Sequence, residues 1–279
     1  MTETRIPSRV FPRAADEAEV AAKGISTPQT ENPAYKLAFQ DLQFLLREDL
    51  RPVRFQLELL KPELLLNEAK IGSVMVFYGS ARIPEPGTPS RNPDPAIAAR
   101  LEANSHWYDE ARKLAALASQ APRDVNGRRH FVVCSGGGPS IMEAANRGAA
   151  DVGAESIGLN IVLPHEQAPN AYVTPSLSFQ FHYFALRKMH FLLRARAVAV
   201  FPGGFGTFDE TFELLTLIQT GKIKPIPILM FGREFWQRVV NFDALVEEGV
   251  ISPPDLDLFR FVDTAEEAWS LVQKFYETD

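Results

Sequence analysis

Nine consecutive residues, Pro202-Gly203-Gly204-Phe205-Gly206-Thr207-Phe208-Asp209-Glu210, set three glycines and a hydroxyl beside two carboxylates. Glycines without a Cβ let backbone N–H groups crowd a ligand, and a helix start adds partial positive charge. That chemistry suits a phosphate. Carboxylates repel phosphates, so Asp209, Glu210 and the nearby Glu213 need a different task. A helix N-terminus favours an acid by only ~0.3–1 kcal/mol, which does not account for three of them. Upstream, Arg187-Lys188 lie in a segment dense in aromatic and apolar residues, Phe184-Ala185-Leu186-Arg187-Lys188-Met189. A solvated helix face is the ordinary reading of such a pair, but this setting favours a buried or site-facing one.

The elements that must hold these residues follow from hydrophobic pattern. The apolar run Ala197-Val198-Ala199-Val200-Phe201 reads as a buried strand before the glycine turn, and Thr211 to Ile218 as a helix after it. The same unit recurs. Ser73 to Tyr78 leads into Gly79-Ser80-Ala81-Arg82, and His130 to Cys134 leads into Ser135-Gly136-Gly137-Gly138-Pro139 and a helix from Ile141. Ser156 to Val162 and Pro227 to Phe231 supply two more strands. Repeated strand–glycine–helix units predict a doubly wound parallel sheet with helices on both faces. Ligands of such sheets bind beyond the carboxyl ends of the strands, where these turns gather. Any one glycine turn is equally well explained by tight strand-to-helix packing; three at one sheet edge are not.

Several chemistries are excluded. Neither upstream turn carries the G-x-G-x-x-G dinucleotide fingerprint, and no G-x-x-x-x-G-K-[ST] loop occurs. There is no G-x-S-x-G nucleophile elbow. His165, His182 and His190 form no metal-binding spacing, so no metal is expected. The single cysteine, Cys134, lies in a strand and reads as a buried hydrophobe in a reducing compartment. A net charge of −6 argues against a nucleic-acid polymer as partner. No apolar run approaches the ~20 residues of a membrane span, and the polar N-terminus is not signal-like, so a cytoplasmic protein is expected.

Taken in order, these motifs resemble the LONELY GUY (LOG) proteins, long mislabelled as lysine decarboxylases. The stretch Pro202 to Glu210 matches their P-G-G-x-G-T-x-x-E signature, with Phe205 in place of the commoner Tyr and Asp209 in place of Glu. Arg187-Lys188, Gly136 to Asn146 and Gly79-Ser80 match as well, and the similarity runs from about Gly72 to Tyr276. The long N-terminus and the segment from Gly158 to Asn170 look like the longer bacterial branch. The resemblance implies a Rossmann-like domain that hydrolyses the N-glycosidic bond of nucleoside 5′-monophosphates, AMP or cytokinin nucleotides, to free base and ribose 5-phosphate. It implies Arg187 and Glu210 as the catalytic pair and Gly204, Phe205, Gly206 and Thr207 around the phosphate. Gly79, Ser80, Gly137, Gly138, Glu166, Lys188, Gly203 and Thr216 would complete the nucleotide site. No cofactor is needed, no membrane partner is expected, and a homodimer or larger homo-oligomer is implied. The alternative is a non-catalytic nucleotide-binding or sensing protein, which leaves the acid–arginine pair without a task. On this reading residues 1–30 are a mobile tail, 31–70 a helical extension and 71–279 the catalytic domain.

Overall fold

The computed structural model describes residues 11–164 and 168–277. The chain divides into two compact units, one up to Leu57 and one from Glu58 onward. The first holds α1 (Ala14–Ala22), α2 (Leu42–Leu45) and the start of α3 (Arg51–Glu68). Its leucine spacing yields short pieces rather than one long helix before Arg51. Asn32 and Asp41 each turn a side-chain oxygen onto a backbone N–H and start a new turn. None of its described side chains is buried, so this helical extension has no core of its own.

The second unit is an α/β domain of Rossmann-like, doubly wound type. Its strands are β1 (Val74–Tyr78), β2 (Val132–Ser135), β3 (Ile157–Ile161), β4 (Ser178–Phe181), β5 (Ala195–Val200), β6 (Ile228–Phe231) and β7 (Arg260–Val262). Among the described residues they form one parallel sheet in the order β4-β3-β2-β1-β5-β6-β7. The helices are α4 (Pro95–Ala103), α5 (His106–Ser119), α6 (Ile141–Asp151), α7 (Phe184–Leu193), α8 (Phe205–Gln219), α9 (Arg233–Val239), α10 (Phe242–Glu247) and α11 (Ala265–Glu277).

The period of two along β1 builds the two faces. Val74, Val76 and Tyr78 pack in one core with Phe191 of α7 and Leu214 and Ile218 of α8. Met75 and Phe77 enter the other core, with Leu114 of α5, Ile141 of α6 and Val272 of α11. Strands buried on both faces read as continuous apolar runs, which is why the central ones are plain in the sequence. The edge strands β4 and β7 are not. Ser178-Phe179-Gln180-Phe181 alternates polar and apolar over four residues, and β7 is three residues long.

Chain order reverses between β1 and β5, which lie side by side in the sheet although the chain visits β2, β3 and β4 between them. A crevice opens at the carboxyl ends of strands at such a reversal. On the sheet face that carries Met75 and Phe77, α5 packs closely on α6 at Gly148, where an added Cβ would strike the backbone oxygen of Arg112. Backbone cannot yield as a flexible side chain does. Gly148→Ala is therefore expected to destabilise the domain by ~1–3 kcal/mol, read from urea denaturation.

Candidate active site

The crevice is a cavity of about 810 Å³ whose walls come from the turns after β1, β2 and β5. The turns are stitched together by backbone. Phe201 N–H donates to Tyr78 O at 2.8 Å, Ser80 N–H to Pro202 O at 3.0 Å, and Ile141 N–H to Ser80 O at 3.3 Å. Gly79 permits this approach, since a Cβ there would lie 2.6 Å from Ile141 Cγ2.

The third turn ends in a helix N-terminus. Helix α8 begins at Phe205, inside the glycine motif and earlier than its apolar pattern suggests, with Gly204 as N-cap. The first N–H groups of a helix have no partner within it. Here they open on the cavity beside Gly204 and Gly206, whose Cα atoms face empty space. Gly203 instead abuts the Thr207 side chain. The early start also moves Asp209 and Glu210 out of the first turn, which contains no acid. Dipole stabilisation fades within that turn, so it does not explain these carboxylates.

Glu210 projects toward α7, where Arg187 Nη1 stands 3.4 Å from Glu210 Oε1. Both side chains are nearly buried, at 12% and 14% exposure. Arg187 is held from three sides: Nε donates to Leu159 O at 2.7 Å, the guanidinium lies 5.0 Å over the Phe191 ring, and Gly136 leaves room for Nη2. Burial pushes the Glu210 carboxyl up to about 7, against the opposing pull of Arg187. Tyr78, buried behind it, is also raised, mainly by desolvation.

Lys188, the next residue, points elsewhere. Its ammonium pairs with Asp209 at 2.9 Å and Glu213 at 3.1 Å, outside the cavity. Burial would lower this amine, but those two hydrogen bonds outweigh it and hold it above its ordinary value. Behind the second turn, Ser135 Oγ donates to Asn146 Oδ1 at 2.7 Å, and Asn170 Nδ2 donates to Gly138 O at 2.9 Å. Gly137 sits in the left-handed region at φ +73°, pressed against the Asn160 amide, where a side chain would not fit.

Of the residues expected at the site, the fold brings Gly79, Ser80, Gly138, Arg187, Gly204, Phe205, Gly206, Thr207 and Glu210 to one cavity. Gly137 and Gly203 support its walls without lining it, and Lys188 and Thr216 do not line it. The Thr216 hydroxyl donates to Phe212 O within its own helix. Glu166 lies outside the described residues. Sequence reasoning missed Arg82, Met142, Ile161, Phe184 and Val239, which also line the cavity. Only Arg82, directly after the first glycine turn, carried a signal that could have drawn attention.

The family described as "Possible lysine decarboxylase" matches residues 142–272. The cytokinin riboside 5′-monophosphate phosphoribohydrolase LOG3 of Arabidopsis thaliana is 28% identical over 157 residues, covering 55% of this chain and 70% of that protein. The probable cytokinin riboside 5′-monophosphate phosphoribohydrolase LOG4 of Oryza sativa subsp. japonica is 27% identical over 155 residues, 54% of this chain and 66% of that protein. The chain thus spans about two thirds of the length of these relatives. Among solved structures, the molybdenum cofactor binding protein from Rippkaea orientalis aligns at 16% identity and a TM-score of 0.43. That alignment covers 73% of this chain and 98% of the other. No helix among the described residues is long and apolar enough to cross a membrane.

The raised carboxyl couples to stability. Glu210 keeps its proton in the folded chain up to about 7, whereas the unfolded group loses it near 4.5. Its stabilising contribution is therefore complete below the unfolded value and is lost as pH rises through the folded one. Urea denaturation between about pH 4 and about pH 8 is expected to show this loss, and Glu210→Gln, which cannot ionise, is expected to remove it.

Proposed function

We propose that this chain, whose residues 142–272 belong to the family of the LOG proteins, hydrolyses the N-glycosidic bond of nucleoside 5′-monophosphates. The observation that carries this reading is the nearly buried Arg187–Glu210 pair in the same cavity as the glycine-lined helix N-terminus. The phosphate sits on the N–H groups of Gly204 to Thr207, which leaves the ribose between that cradle and Glu210.

Breaking the C1′–N bond sends its electron pair to the base and builds positive charge on the ribose. An ionised Glu210 stabilises that charge and takes a proton from the water that attacks C1′. The water oxygen becomes the new hydroxyl of ribose 5-phosphate, and the proton passes to the departing base. A base poised near neutrality suits both halves of this transfer. Arg187, bound to Leu159 O and stacked on Phe191, orients Glu210. Met142, Ile161, Leu163, Phe184 and Val239 give the cavity an apolar wall. That wall favours adenine carrying an alkyl substituent over bare adenine. The decarboxylase description has no support in the residues: an amine that forms a Schiff base must shed its proton, and Lys188 is tied to two carboxylates.

Purified protein incubated with AMP and with isopentenyladenosine 5′-monophosphate is expected to release free base from both, with the higher kcat/KM for the prenylated nucleotide. Nucleotide binding without any release of base would instead identify a binding or sensing protein. For the active enzyme, kcat/KM is expected to rise with pH through about 7, as Glu210 ionises. Glu210→Gln is expected to lower kcat by ~10²–10⁴-fold while nucleotide still binds. A homo-oligomer belongs to the same reading, and light scattering tests it.

A further inference from the structure

Among the described residues, two cations line the catalytic cavity, Arg82 and Arg187. Arg187 is committed to Leu159 O, Phe191 and Glu210. Arg82 is not. Its backbone N–H donates to Ser80 Oγ at 3.0 Å, which fixes the residue at the end of the first glycine turn. Its guanidinium is exposed and, among the described residues, has no hydrogen bond, ion pair or aromatic contact. The turn that carries it is bonded to the phosphate turn through Ser80 N–H and Pro202 O.

Charge balance makes this vacant cation informative. A phosphate dianion entering the cavity meets an ionisable carboxylate, Glu210, and a guanidinium already used to hold it. Helix N–H groups supply only partial charge. Arg82 also lines an adjoining cavity of about 630 Å³, together with Arg91, Glu85 and Glu143. The two carboxylates there are engaged, Glu85 by Arg147 at 2.9 Å and Glu143 by the Tyr108 hydroxyl at 3.0 Å. Among the described residues, neither cavity supplies Arg82 with a carboxylate partner.

We propose that Arg82 binds the phosphate held on Gly204 to Thr207, and so selects phosphorylated nucleosides over unphosphorylated ones. The proposal deepens the hydrolase reading and rests on it for the identity of the substrate. A planar guanidinium can bridge two phosphate oxygens, which adds geometry to charge.

The test uses ribose 5-phosphate, which binds without reacting, in isothermal titration calorimetry on the full chain. Arg82→Ala is expected to weaken it about 10- to 100-fold, as for the loss of hydrogen bonds to a charged group. Arg82→Lys is expected to recover part of the loss, as a point charge without the planar fork. Arg91→Ala, which touches only the adjoining cavity, is expected to change nothing. In turnover, Arg82→Ala is expected to raise KM for a nucleoside 5′-monophosphate with kcat nearly unchanged. Unaltered affinity in Arg82→Ala, or no ribose 5-phosphate binding by the wild type, would overturn the proposal. So would an equal loss in Arg91→Ala, which would move the phosphate to the adjoining cavity. If binding depends on Arg82 yet no nucleotide is cleaved, the hydrolase reading fails and this assignment stands. If nucleotides are cleaved and Arg82→Ala keeps its KM, the reverse holds.

Discussion

The site depends on one nearly buried guanidinium. Arg187 sits between a backbone carbonyl of β3, an aromatic ring of its own helix and a carboxylate of α8. Each contact comes from a different element, which restrains the group. It therefore fixes where Glu210 can point. Burying such a pair costs both partners their hydration, and its mutual attraction repays this only with good geometry. Burial holds the Glu210 carboxyl up to about 7, and the Arg187 contact at 3.4 Å only partly offsets that cost. The result is a carboxyl that changes state near neutral pH.

The surrounding parts protect that arrangement. Glycine at 136 leaves space for the guanidinium, since a Cβ would lie 2.6 Å from Arg187 Nη2. Asn146, Asn160 and Asn170 brace the second glycine turn from behind with amide hydrogen bonds and contacts, which keeps its backbone from collapsing into the cavity. On the outer side, Lys188 draws α7 and α8 together through Asp209 and Glu213. Two adjacent basic residues thus do different work. One faces the cavity and sets an acid; the other pairs with two acids outside it. The carboxylates beside the glycine turn divide the same way: Glu210 meets Arg187 at the cavity, and Asp209 and Glu213 clamp Lys188 outside it.

Much of this was legible in the residues. Central strands, buried on both faces, announce themselves as apolar runs, and the glycine turns after them mark where a ligand can approach. Composition and setting drew attention to Arg187-Lys188 and to the acids after the glycine turn, and only the resemblance to the LOG proteins singled out Arg187 and Glu210 among them. The edge strands β4 and β7 escaped notice, because a strand covered on few sides needs little apolar signature. The role of Lys188 was misread because adjacency in sequence says nothing of direction. Successive residues on a helix lie about 100° apart, so neighbours in the chain need not share a face. Cavity-lining Met142, Ile161, Phe184 and Val239 were invisible for another reason: apolar side chains in helices and strands look alike whether they face a core or a ligand.

By itself, the sequence determined which residue types are available: glycines without side chains where backbone can approach a ligand, and acids and an arginine within the same motifs. These are local properties, set by Cβ sterics, periodicity and charge. Tertiary structure decided the rest. The reversal of strand order placed β1 beside β5, and so put the turn at Gly79 against the turn at Pro202 across more than a hundred residues of chain. Burial raised Glu210, since the cost of ionising a carboxyl depends on what surrounds it and not on its neighbours in the chain. Packing alone paired Arg187 inward and Lys188 outward, and left Arg82 free between two cavities.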